Sequence, residues 1–275
     1  MTKTVTQAVE ELVRATVHLS DEDMGRDWKW RDYDEEGLRF ALLMTHHELR
    51  DLGVRLAARG RTTPTQAERI LAQCHQAYRD LTGVLAGART EDLDRAPAEG
   101  EWPLRETLKH MLRAEHGFLA RIRFALEHPP APQRDAEGEA KFLTFRKDGY
   151  ELPEDAAAGP IESIRDRFFD THRRVLTELA DVSDAQLDIR TWFWESEPMP
   201  IRFRMHRIEE HLRQHTIQLD KTLAAIRPPT EAQRLVRNVY NALADIESAI
   251  ERAEDLRSAT ADMISERAAA IAVSH

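Results

Sequence analysis

The 275-residue chain has a single cysteine, Cys74, and so cannot close a disulfide within itself. It lacks the surplus of Lys and Arg that broad binding to a phosphate backbone requires, because 39 basic side chains are set against 49 acidic ones for a net charge of −10. Nucleic acid is therefore not an expected partner. No apolar run is long enough to span a bilayer, and the start MTKTVTQAVEELV has no signal-peptide core, so no membrane association is expected and the chain reads as cytoplasmic. Sustained strand alternation is also missing. What is present is 41% apolar and 32% charged residues, a composition that folds and can bury a core without a disulfide or structural metal. Any metal in this chain must then be functional.

Almost every long segment repeats its apolar residues at three and four, so the fold class is all-α. Helices are predicted at about 4–20 and 34–59, the second with Leu38, Leu42, Thr45, Leu49, Leu52 and Leu56 on one stripe. DWKWRDYD, between them, reads as too polar for a core. Four further helices, about 65–87, 102–127, 160–180 and 200–226, make a four-helix bundle. Thr63 is the expected cap of the first of these, with Pro64 in its first turn, and PPAP at 129–132 stops the second. Residues 129–160, rich in Pro, Ala and charge, read as a lid or a surface excursion. A helix at about 230–253 and a weaker one to about 272 complete three regions: an N-terminal helical extension (1–63), the bundle (64–226) and a C-terminal extension (227–275). The extensions are amphipathic and need cover: they can pack on each other as a small helical subdomain or on a second subunit, and packing on the bundle within one chain is favoured, with a homodimer possible.

Twelve histidines are roughly twice the number expected at about 2% usage. In the 200–226 helix the stripe Ile201, Met205, Ile208, Leu212, Leu219, Leu223 and Ile226 contains His215 and has His211 at its edge. Two histidines at i and i+4 share a face, and both imidazoles can reach one transition-metal ion. His206 points the other way, to solvent. A third ligand has to come from another helix. His110, on the flank of the 102–127 helix, competes with His172, which reads more simply as a core histidine with a polar neighbour. His75 projects off its apolar stripe and is placed on the surface, and spacing alone leaves the third ligand open.

GEWPLRETLKHMLRAE, residues 100–115, resembles the second-helix signature of the DinB superfamily, in which a Gly-Glu-Trp entry leads to a Glu, a His and an Ala-Glu. EEHLRQHTIQLDKTL, residues 209–223, resembles that family's last bundle helix with its two histidines. The two occur in the expected order with a long crossover between them, so the resemblance covers about 64–226. It implies a DinB-like four-helix bundle with added N- and C-terminal helices, and a three-histidine metal site that falls here on His110, His211 and His215. The superfamily includes enzymes that use low-molecular-weight thiols such as mycothiol or bacillithiol. The implied function is a metal-dependent enzyme acting on a small molecule, with thiol-dependent transferase or isomerase chemistry favoured over hydrolysis and a low-molecular-weight thiol as cosubstrate. The competing class is a non-catalytic metal-binding helical module that acts through oligomerisation.

Three neutral imidazoles leave positions on an ion open to water or substrate, and they suit Zn²⁺, Ni²⁺ or Fe²⁺ alike. No catalytic side chain is assigned. Glu106, one turn before His110, could accept the second imidazole N–H. Glu115, beside an apolar stripe, is expected to have a partner such as an Arg. Arg202, Arg204, Arg207 and Arg213 form either a clamp for a carboxylate or an ion-pair network. Trp192, Phe193 and Trp194 could wall a pocket, and Cys74, at an apolar helical position, is assigned no role.

Overall fold

Ten α-helices carry the described part of the chain in a computed structural model, which describes residues 3–60, 62–128 and 135–273. They are α1 (Val5–Thr16), α2 (Asp21–Met24), α3 (Arg39–Arg59), α4 (Gln66–Ala86), α5 (Leu104–Glu127), α6 (Ala136–Gly149), α7 (Ile161–Glu178), α8 (Ile201–Ile226), α9 (Glu231–Glu247) and α10 (Glu254–Val273). The only sheet among the described residues pairs Arg190–Thr191 antiparallel with Met199–Pro200. The all-α class holds. The expected PPAP stop lies outside the described residues, as does His275.

The chain divides into two compact units, Pro64–Tyr78 with Arg89–Thr222, and Met1–Thr63 with Arg79–Ala88 and Leu223–His275. The first holds the bundle segments. Its α5 buries Leu104, Leu108, Met111, Leu112, Phe118, Leu119 and Ile122, and α7 buries Ile161, Ile164, Phe168, Thr171 and Val175, the stripes that helical spacing predicts. Proline sits at the N-cap of both helices, as Pro103 and Pro160, where no amide hydrogen is needed. The Arg105 guanidinium binds Asp94 and donates to the carbonyls of Ala157 and Gly159, which fixes the start of α5 to the approach to α7.

Several local expectations are corrected. The cap of α4 is Thr65, not Thr63: Thr65 Oγ1 accepts the Glu68 amide while Glu68 accepts the Thr65 amide, and Asp184 takes the next two free amides, of Gln66 and Ala67. Within the stretch read as a lid or excursion, Ala136–Gly149 is a helix, capped by Asp135. It was hidden because it has no stripe, since only Gly138 and Phe142 are buried. Phe142 packs 5.5 Å from Phe124 and lies under the Arg121 guanidinium, which also binds Glu139.

The second unit has a core of its own, built from α1, α3, α9 and α10 with residues 79–88. Here the two extensions pack on each other, α1 against α10 and α3 against α9. DWKWRDYD is not excluded from this core: Trp28 is buried and Trp30 packs against it under Arg267. Arg267 is wholly buried, its two terminal nitrogens donating to Glu48 and one of them also to Thr45, while its Nε has no hydrogen-bond partner among the described residues. At Gly83 a Cβ would stand 2.8 Å from the Arg237 Cα, so glycine there permits the close approach of α4 to α9.

Candidate metal centre

α5 carries His110, and α8 carries His211 and His215 one turn apart on its inward face. The fold brings the three together. His211 Nε2 and His110 Nε2 are 3.0 Å apart, and one ligand nitrogen from each of the three lies within 4.8 Å of the others. His215 Nδ1–H donates to Gln218 Oε1 at 2.8 Å, which leaves Nε2 with its lone pair for an ion. Gln218 escaped sequence reasoning although its signal was present, an amide three residues after a histidine on the same helix.

Both His211 and His215 are buried and His110 is partly exposed. Burial, and then the neighbouring His215, His110 and Arg207, pushes His211 down to about 3, so it is a neutral ligand at pH 7. Burial foremost, with His215, also lowers His110. The donor set fits a divalent transition metal: nitrogens at 2.0–2.1 Å from a tetrahedral ion stand roughly 3.3 Å from one another, within the spread found here. No other group of three His, Cys, Asp or Glu among the described residues could hold an ion, and no carboxylate joins this one. Glu106 is exposed and forms no hydrogen bond to His110 among the described residues, so the expected acceptor is not in place.

Aromatic rings surround the group. The Trp102 ring meets His110 edge-on at 5.6 Å, and Phe118 stands 5.8 Å from His211 with Phe193 and Trp194 packed against it. Trp102 and Trp194 remain about half exposed, at 49% and 51%, so apolar ring surface beside the imidazoles is open to a ligand. Phe193 and Trp194 pack on Phe118 beside His211, while Trp192 makes no ring contact with the site among the described residues.

Other expected residues fall elsewhere. His172 is buried with a polar neighbour as expected, but that neighbour is His75, whose Nδ1 lies 3.0 Å from His172 Nε2. His75 is therefore buried, not on the surface, because a bundle helix faces two neighbours and a residue off its main stripe can meet the second. Glu115 is fully buried and, contrary to expectation, neither carboxylate oxygen has a hydrogen-bond partner among the described residues. Burial pushes it up to about 8 and it keeps its proton at pH 7. Cys74 is buried, directs its thiol to the Met205 carbonyl at 3.4 Å and has its pKa raised by burial, so it supplies no thiolate.

The family model of the DinB superfamily matches residues 73–219, more than half of the chain. The chain belongs to the DinB superfamily. The matched segment runs from the middle of α4 to the last turns of α8 and contains all three clustered histidines of this DinB bundle. Neither a curated protein nor a solved structure matches the chain. No helix of the described DinB chain is long and apolar enough to cross a membrane.

Proposed function

We propose that this protein binds one divalent transition-metal ion through His110, His211 and His215 and is a metal-dependent enzyme for a small molecule, with thiol-dependent transfer or isomerisation its chemistry. The observation that carries the reading is the convergence of three imidazole nitrogens, with no fourth ligand side chain among the described residues, beside half-exposed tryptophan surface. With three uncharged ligands, an ion here keeps its full charge and would lower the pKa of a thiol or water that reaches it.

The chain's own residues supply the rest. Gln218 holds His215 in the tautomer that turns Nε2 to the ion. Phe118, Phe193 and Trp194 keep water from the His211 side, and Trp102 shields His110. The nitrogen set suits Zn²⁺, Ni²⁺ or Fe²⁺.

The test is metal analysis of protein purified without a metal-affinity tag, beside a His211→Ala variant. About one ion per wild-type chain and its loss in the variant are expected; a variant that keeps its metal overturns the site. A Co²⁺ derivative then separates chemistries, because a thiol substrate shifts its visible spectrum, whereas a spectrum indifferent to thiols favours hydrolysis.

A further inference from the structure

α8 carries four arginines, Arg202, Arg204 and Arg207 before His211 and Arg213 between His211 and His215, and the structure distributes them unequally. Arg204 is fully buried, with both terminal nitrogens on the Glu195 carboxylate and one also directed to the Thr191 carbonyl. Arg202 donates to Gln66 at 2.8 Å and lies 3.7 Å from Asp188. Arg213 pairs with Glu209 at 2.8 Å. Arg207 alone of the four makes no hydrogen bond and no ion pair among the described residues.

Its position sets Arg207 apart from an ordinary surface arginine. Residues 207, 211 and 215 succeed one another by single turns of α8, so Arg207 shares a helix face with the two metal-site histidines of that helix. It is only partly exposed, and its guanidinium carbon stands 5.9 Å from the centre of the Trp194 ring, the half-exposed ring that closes on Phe118 and through it on His211. Glu195 is near enough to feel its charge, but Arg204 already occupies both carboxylate oxygens. A planar cation that is positioned against an aromatic face, spends none of its donors on a hydrogen bond among the described residues and borders the histidine group is suited to bind an anion in two-pronged fashion.

We infer that Arg207 is the anion-binding residue of this site and that the substrate is a small carboxylate whose reacting group, a thiol in the reading above, lies about one helical turn from its carboxylate. One turn is about 5 Å, the span of a two- or three-carbon chain. Trp194 receives the apolar middle of such a molecule. The inference rests on the proposed metal site for the reacting end, while the carboxylate end depends on Arg207 itself.

The probes are 3-mercaptopropionate and its uncharged amide, titrated calorimetrically into metal-loaded and metal-stripped protein at low salt. Wild type should bind the acid about tenfold more tightly than the amide, the gain of one charge-assisted pair. In Arg207→Gln that preference should vanish while metal content and affinity for the amide stay as in wild type, and Arg207→Lys should restore part of it. A wild type that treats acid and amide alike, or an Arg207→Gln variant that keeps the preference, overturns the inference. Should the protein hold no metal, the proposed function falls, and the stripped protein's preference for the acid still decides the role of Arg207.

Discussion

Glu115 shows how one side chain can govern pH response. Its proton is held more tightly in the folded chain than in the unfolded one, with a pKa raised from an ordinary 4.5 to about 8 by burial. Below 4.5 both states carry the proton and nothing is lost. As pH rises from there to about 8 the unfolded chain ionises first, and stability falls by roughly 1.4 kcal/mol per pH unit, a few kcal/mol in all. Glu115→Gln, which keeps shape and removes the charge, should abolish this decline and be the more stable protein above pH 8. Denaturant unfolding of both proteins from pH 5 to pH 9 checks it, and equal slopes would refute the assignment. A sequence cannot disclose this state, because an acidic residue beside an apolar stripe ordinarily implies a partner, and only packing shows that none arrives. The same limit applies to His110 and His75. The i, i+4 pair at 211 and 215 is visible from spacing on one helix, whereas which residue of another helix completes or avoids the group is decided by how helices meet.

Among elements, those with a clean stripe were legible and those without one were not. Helices α4, α5, α7 and α8 lie within a few residues of their predicted positions, since each buries an apolar row that chain periodicity displays. Helix α6 does not, and its attachment to α5 is aromatic: Phe142 and Phe145 both meet Phe124, and Arg121 lies over Phe142 and pairs with Glu139, but only Phe142 of the two phenylalanines is buried. Phe142→Ala should therefore release α6 locally, at a cost of about 3 kcal/mol. Amide exchange should speed up across 136–149 and leave α5 and α7 protected. Unchanged protection of α6 would mean that its exposed face, or a contact outside Phe142, holds it. The α2 turn and the two-residue strands were equally invisible, as each is too short to have a period.

At the scale of the molecule, the extensions that exceed a minimal bundle make a second core, in which Val9, Leu12 and Val13 of α1 and Leu42, Leu49 and Leu52 of α3 share one cluster with Val236, Tyr240 and Leu243 of α9 and Ile264 and Ile271 of α10. Amphipathic patterning announced that these helices need cover but not what provides it, since a stripe records the demand for a partner and not its identity. Removing residues 229–275 should uncover α1 and α3 and unfold them, seen as a loss of helical circular dichroism beyond that of the deleted residues. A truncated protein that is monomeric and as stable as the whole would contradict the shared core.

That core also fixes an order of assembly. Its halves are some two hundred positions apart, so closing it requires the longest loop in the fold, although loop entropy grows only slowly with length. On a ribosome, which delivers the N-terminus first, every residue of Pro64–Tyr78 and Arg89–Thr222 has been made before α9 and α10 exist. The histidine-bearing bundle segments can thus mature on the nascent chain, while the apolar faces of α1 and α3, though synthesised before them, remain a client surface for chaperones until α9 and α10 have emerged.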